Sequence, residues 1–389
     1  MLLTCYIILL LRLSSALRSH TPPTSYTVDY TVYHTYQSFI DQLYDYAHTY
    51  PDIVTLYSYD NYMTNNLPIY HIILSTNTIY TQSSNHRNNV MKKKKILLSF
   101  GEHARELITV ESALDIINNI TSGYRSTDCT LYSTQLSSFI LNNYELHILP
   151  LVNPSGKLYL QHGNDMCYRN TYPHGVDINR NFAWHYGGTA SSNVTGNEEY
   201  RGPYVFSTSE AQLIKYLAER YHYTSYMSVH SGARALLVPY VDSVSKQLQR
   251  TRKSTDHELY IAQYIYDHTD GWYDDVGIGY VMNDYSADGT AADWMAGVMS
   301  VPYIITSEIY GDIHHDCFVQ FNSNPSKLQN DLDRIRLTYI RLFEAIAMID
   351  MADGVIPNVN SSNDPYNIAL CQVYQTYDKL LNHVKHQFL

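Results

Sequence analysis

Apolar residues recur along this chain in two rhythms, and the switching between them predicts most of the architecture. Phe39, Ile40, Leu43 and Ala47 share one side of a helix over Tyr36–Tyr50, which Pro51 ends. Strand-like runs follow at Val54–Tyr59, Ile69–Ser75 and Ile96–Phe100. Leu107, Val110, Leu114 and Ile117 return at helical spacing and predict a helix over Glu106–Ile120. The pattern then predicts a strand at Tyr144–Pro150, a helix over Ser207–Tyr221 capped by Ser207 or Thr208, and a strand at Tyr223–His230. Leu236–Tyr240 and Tyr303–Glu308 continue the strand series, and Asn324-Pro325-Ser326 opens a long helix over Leu328–Ile349. Strands alternating with helices indicate an α/β domain with a mixed, largely buried sheet.

No internal repeat and no long linker interrupts the 389 residues, a length that one large domain with a substantial core can use. After Gly354 the pattern is irregular until a weak helix near Gln375–His386, so residues 353–389 read as a C-terminal tail. At the other end, the apolar run Leu2–Leu11 is shorter than the roughly 20 residues that span a bilayer. Ser14 and Ala16 place small residues for cleavage after Ala16, although no cation precedes Arg12. Residues 1–16 therefore read as a signal peptide, and the expectation is a secreted chain without stable membrane insertion.

Composition refines this picture. Charged residues make up only 16% of the chain, and tyrosine fills much of the gap with 39 residues. The formal net charge of -11 argues against a nucleic-acid partner. The basic block Lys92–Lys95 reads as a solvated loop edge. Signal cleavage would leave Cys129, Cys167, Cys317 and Cys371, an even count that suggests disulfides in any of three pairings. Cys371 is expected to tie the tail back, with Cys317 a candidate partner. Sequons at Asn119, Asn193 and Asn360 fit the same compartment.

The chemistry concentrates at strand ends, where α/β sheets bind ligands. Ile96–Phe100 runs into Gly101-Glu102-His103-Ala104-Arg105-Glu106, which sets an imidazole and a carboxylate three residues apart. His230 ends a second strand and Glu308 a third. His103, Glu106 and His230 would supply two imidazoles and a carboxylate to one zinc ion per chain, leaving a fourth position open. Glu308 is then the base for the attacking water. A carboxylate closing so apolar a strand is costly to bury unless a cation or a proton compensates it.

Six blocks in order make the chain similar to the zinc carboxypeptidases of the carboxypeptidase A family, over residues 26–352. They are His103-Ala104-Arg105-Glu106, Asn153-Pro154-Ser155-Gly156 leading to Tyr168-Arg169, Gly175-Val176-Asp177-Ile178-Asn179-Arg180-Asn181-Phe182, His230-Ser231, Tyr285 before Asp293-Trp294, and Glu308. The resemblance implies a single α/β domain with a mixed, mostly eight-stranded twisted sheet flanked by helices. It also implies cleavage of the last peptide bond of peptides or proteins by a monomeric enzyme. Arg169 would stabilise the oxyanion. Asn179 and Arg180 would hold the substrate's terminal carboxylate, Tyr285 would close over it, and Arg105 would contact residues further upstream, with Ser231 among the substrate-binding residues. Ala292, just before Asp293, falls at the position that sets preference for the C-terminal side chain, in a pocket that also involves Tyr280. A small neutral residue there favours apolar or aromatic ends, although Asp242 and Asp288 lie near enough to matter.

The chain also departs from the family pattern. Between Ala16 and Tyr36 there is room for only a short segment, so an inhibitory propeptide domain is expected to be absent. Gly232 follows Ser231 where digestive relatives carry tyrosine, which points to altered upstream subsites, and Cys167 beside Tyr168 is a candidate for a disulfide. The alternatives are the same fold with basic C-terminal or cell-wall peptide specificity, or a non-catalytic binding protein on this scaffold. A serine hydrolase lacks support, because no Gly-x-Ser-x-Gly elbow occurs.

Overall fold

Strand residues sort by parity onto two opposite faces of one sheet, and that sorting decides where the chemistry lies. The computed structural model describes residues 27–76, 93–127, 132–163, 165–283, 285–312, 314–315 and 317–353. The eight strands are β1 (Val54–Thr64), β2 (Leu67–Leu74), β3 (Lys94–Ser99), β4 (Tyr144–Leu149), β5 (Ser225–His230), β6 (Ala233–Val238), β7 (Asp275–Ile278) and β8 (Tyr303–Tyr310). They lie in the order β1-β2-β4-β3-β5-β8-β6-β7, with a parallel centre and antiparallel pairs at β1–β2, β2–β4 and β6–β8.

Ile96 and Leu98 of β3, Met227 and Val229 of β5, and Ile305 and Ile309 of β8 are buried in one core, which includes residues of the helices Leu107–Arg125, Thr255–Asp267 and Leu328–Ala352. Leu97, Tyr226 and Ile304 point to the other face, into a second core with the helices Ser209–Tyr221 and Ala291–Gly297. Parity places Ser228 and His230 with Tyr226, and Thr306 and Glu308 with Ile304. Both catalytic candidates of the central strands therefore leave the sheet on the same side.

The structure corrects several expectations. β8 runs on to Tyr310, so Glu308 lies inside the strand rather than at its end, paired with His230 on one side and Ala235 on the other. The antiparallel β6 extends the ladder past the point where the apolar run stops. Lys93–Lys95 of the basic block do not form a solvated edge, and Lys92 lies outside the described residues. Lys94 and Lys95 belong to β3, Lys93 Nζ donates to Leu141 O at 2.7 Å, Lys94 pairs with buried Asp350, and Lys95 sits over the Tyr221 ring. β7 and the helices Tyr132–Asn143, Pro154–Gln161 and Thr255–Asp267 had no counterpart in the sequence pattern.

Cys317 pairs with Cys167 and not with Cys371. The reason is spatial: Arg105 donates to Cys167 O at 3.0 Å and stacks on Phe321, four residues beyond Cys317. The signal segment 1–16, Cys129, Cys371, Asn360, the Gln375–His386 helix and nearly all of the tail lie outside the described residues. Among the described residues, no helix is long and apolar enough to cross a membrane.

Candidate active site

The first donor pair depends on how the chain leaves β3. Gly101 turns with φ +63°, and a Cβ there would meet Leu151 Cδ1 at 2.9 Å, so a side chain is excluded on both counts. Asn153 then clamps the turn: its Nδ2 donates to Glu102 O at 3.2 Å and to Asn170 O at 3.0 Å. Ala104 N donates to Arg169 O at 2.8 Å. One asparagine thus ties the segment carrying His103 to the segment carrying Arg169.

His103, Glu106 and His230 converge as anticipated, all three buried, with their ligand atoms within 4.8 Å of one another. His103 Nδ1 lies 2.7 Å from Glu106 Oε1, and His230 Nδ1 lies 3.2 Å from both His103 Nδ1 and Glu106 Oε2. Two imidazole nitrogens turned on each other beside a carboxylate are donors that a single cation would satisfy together. Two histidines and one glutamate suit zinc and leave a coordination position open. Burial works against ionisation of Glu106, but the two imidazoles overcome it and hold its carboxyl well below the usual range. Burial likewise disfavours a charged His230, yet Glu106, Glu102 and Glu308 raise it to about 9.

The outer ring nitrogens are held as well. His103 Nε2 lies 3.3 Å from Asp177 Oδ1, and His230 Nε2 lies 2.8 Å from Ser228 Oγ. Asp177 is fully buried and accepts Arg169 Nε at 3.1 Å and Nη2 at 3.0 Å. Burial raises the Asp177 carboxyl, but Arg169 and Arg180 bring it well below the usual range. The sequence had offered Asp177 only as part of a block; the signal available was an Asp two residues before the paired Asn179-Arg180.

A cavity of about 370 Å³ opens from this centre. Arg169, Asn179, Arg180, Ser231, Tyr285 and Ala292 all line it, together with Glu308 and Arg105. Arg180 is buried, its Nη1 donates to Asn179 O at 3.0 Å, and its Nε has no protein partner. Asn179 Oδ1 accepts Ala291 N at 2.9 Å, which fixes it against the pocket wall. Tyr285 is 61% exposed at the mouth. Ser231 spends its hydroxyl on Phe321 O and its N–H on Glu106. Arg105 forms a bidentate pair with Glu198 at 3.0 and 3.1 Å. Burial, the largest influence, pushes the Glu308 carboxyl above its ordinary value, and Glu106 adds to it against the opposing histidines and Arg169.

The pocket wall settles two acidic residues that the sequence left open. Asp288 accepts Ala190 N at 2.7 Å and Ser243 N at 2.8 Å, while Asp242 accepts Ser245 N at 2.8 Å and Trp184 Nε1 at 2.9 Å. Neither lines the cavity. Asp293 does, but burial and the neighbouring Asp242 push its carboxyl well above the usual range. Tyr280 is buried in the second core and does not line the cavity either, which corrects its expected role. Gly232 takes φ +138°, and a Cβ there would meet Phe321 Cε1 at 2.7 Å. The Phe321 ring therefore occupies the space that any side chain at position 232 would need, a contact visible only with the helix Cys317–Phe321 folded against Gly232.

Fold and donor set together define a class: an α/β protein with a buried two-histidine, one-glutamate cluster that could hold a metal ion and a further carboxylate beside it. Residues 38–332 match the Peptidase M14 zinc carboxypeptidase model, and the chain belongs to that family. It is 28% identical over 240 residues to carboxypeptidase A2 of Mus musculus, covering 54% of this chain and 56% of the relative. To carboxypeptidase B2 of Rattus norvegicus it is 28% identical over 222 residues, covering 48% and 50%. The chain thus spans about half the length of the curated relatives it matches. Bovine thrombin-activatable fibrinolysis inhibitor, solved with a tick carboxypeptidase inhibitor, shares the fold with a TM-score of 0.65 at 21% identity, over 82% of this chain and 98% of that one.

Proposed function

We propose that this protein is a secreted zinc carboxypeptidase that removes the C-terminal residue of peptides and proteins, favouring apolar or aromatic ends. One observation carries the reading. Arg180, buried with an unpartnered Nε, and Glu308, beside the His103–Glu106–His230 centre, line the same cavity. That shared lining suits a substrate whose terminal carboxylate and last peptide bond must be held at once. Internal peptide bonds offer Arg180 no charge, so the arrangement favours an exopeptidase.

Zinc, when bound by His103, Glu106 and His230, supplies Lewis acidity to the water and the scissile carbonyl. Glu308 takes a proton from the attacking water and passes it to the leaving amine, a role that a carboxyl raised above its ordinary value suits. Arg169, steered by Asp177, donates to the oxygen that becomes negative during attack. Arg180 and Asn179 orient the terminal carboxylate, the guanidinium through its planar fork. Tyr285 covers the mouth once substrate is seated, and Arg105, on reorienting from Glu198, meets the chain upstream.

Relatives named for A-type and B-type enzymes match equally well in identity, so their names do not choose the side-chain preference. The pocket does. Ala292 is small and neutral, Leu237, Val238 and Val241 add apolar wall, and Asp242 and Asp288 are committed to backbone donors. Secretion rests on the Leu2–Ala16 pattern and agrees with the Cys167–Cys317 disulfide, since such bonds persist in oxidising compartments. The test is hydrolysis of blocked dipeptides ending in Phe, Leu, Lys, Glu or a D-amino acid, with and without chelator. Chelator-sensitive cleavage of the Phe and Leu substrates is expected. Preference for Glu or a D-residue, or a protein that takes up no zinc, would overturn the assignment.

A further inference from the structure

Beneath His230 lies a second buried carboxylate that the reaction described above does not use. Glu102 is fully buried. Its Oε1 gathers three hydroxyls, at 2.8 Å from Ser99 Oγ and 3.2 Å from both Tyr226 OH and Ser228 Oγ. Its Oε2 has no hydrogen-bond partner and lies 3.8 Å from His230 Nε2. A buried carboxylate oxygen left without a donor is costly unless a positive charge stands nearby. No lysine or arginine pairs with Glu102 among the described residues. The charge it faces is the imidazole of His230 and whatever cation that imidazole holds.

The hydroxyls explain why this carboxylate would act on the ring. Tyr226, Ser228 and His230 alternate along β5 onto one face, and Ser99 of β3 is the register partner of Ser228. Ser228 has one proton. Given to Glu102, it leaves the Ser228 oxygen to accept from His230 Nε2–H at 2.8 Å. The ring is then fixed with its proton on Nε2 and its Nδ1 lone pair turned toward His103 Nδ1 and Glu106. Resting on the zinc-centre reading above, we infer that Glu102 is a positioning residue for the metal centre, acting on His230 both through Ser228 and by its own charge. His103 leans on Asp177 in the same manner, so each ligand imidazole has a carboxylate behind it, reached from a different loop.

Supporting carboxylates of this kind typically change metal affinity by about 10–100-fold. The experiment is chelator competition for zinc on the full-length protein, for Glu102→Gln and Ser228→Ala, alongside melting of each zinc-free form. Zinc affinity should fall about 10–100-fold in Glu102→Gln and by a smaller factor in Ser228→Ala. The zinc-free melting temperatures should stay at that of the wild type. The double variant should bind little more weakly than Glu102→Gln alone, because both groups act on one ring nitrogen. Affinities within about threefold of wild type in both variants would overturn the proposal, as would zinc-free forms that melt lower while binding zinc normally. If Glu102→Gln does not fold, Ser228→Ala decides. A wild-type protein that binds no zinc would instead fail the carboxypeptidase reading itself, so the two failures are distinct.

Discussion

His230 and Glu308 are direct register partners across the parallel β5–β8 pair. Their side chains leave the sheet on the same face, so the proposed metal ligand and the proposed proton acceptor are held by backbone pairing rather than by a loop. A glutamine at 308 keeps that geometry but cannot take a proton. Glu308→Gln should retain one zinc per chain while kcat/KM falls by about 10²–10⁴. Metal analysis with steady-state kinetics checks both halves; turnover within about tenfold of wild type would remove Glu308 from this role.

Arg180 predicts a discrimination between peptide ends. Hydrogen bonds to charged groups contribute about 1.5–3 kcal/mol. Arg180→Ala should therefore lower kcat/KM on free-acid substrates by roughly 10–150-fold. Against a C-terminally amidated peptide, already a poor substrate, the same change should have little effect. Equal losses on both substrates would point to collapse of the Asp177 cluster instead.

Ala292 tests the pocket. Ala292→Asp places a carboxylate on the cavity wall, and cleavage should shift from Phe and Leu toward Lys and Arg ends. Parallel assays on four blocked dipeptides read the change. An unchanged order of preference would mean that position 292 does not touch the substrate side chain.

The metal-free centre should carry a proton that zinc displaces. His230 is raised to about 9 by Glu106 and the other carboxylates against the effect of burial, so at pH 7 the free site holds that proton. Zinc needs the neutral ring. Calorimetric titration of the zinc-free protein in buffers of different ionisation enthalpy should show about one proton released per zinc at pH 7, falling toward zero above pH 9. No release at pH 7 would contradict it.

Two further histidines should limit acid stability. His71 and His147 are fully buried, 3.0 Å apart between Nε2 and Nδ1. Burial lowers both, for His71 together with its neighbour His147 and for His147 against Glu145. Their folded values lie below the ordinary 6.5, so the unfolded chain binds protons first. Stability is complete above about pH 6.5 and is lost as pH falls, by up to about 1.4 kcal/mol per pH unit for each group. Denaturant unfolding between pH 7 and 5 should show a shallower slope in His71→Gln than in wild type, with shared contributions cancelling in the comparison.

Much of the fold was readable because burial imposes a period. A strand buried on both faces is apolar throughout, and a packed helix repeats every three to four residues, so β3, β4, β5, β8 and the helices Leu107–Arg125, Ser209–Tyr221 and Leu328–Ala352 announced themselves. The amphipathic helix Thr255–Asp267 and the four-residue β7 did not, being short or rich in polar positions. Lysines 93–95 were misread because charge alone does not reveal that the Leu141 carbonyl, Asp350 and the Tyr221 ring await them.

The amino-acid order by itself determined which chemical groups could meet. His103-x-x-Glu106, His230 after an apolar run, Arg169 and the Asn179-Arg180 pair are local statements, set by residue type and spacing. Only the tertiary structure decided what surrounds them. Cys167 joins Cys317, Phe321 fills the space over Gly232, Asp242 and Asp288 turn to backbone donors, and Glu102 comes to rest under His230. The physical reason is that ligand identity is a property of a side chain. Charge, orientation and room are properties of neighbours, most of them 45 to 150 residues away, which become neighbours only when strands pair and loops close.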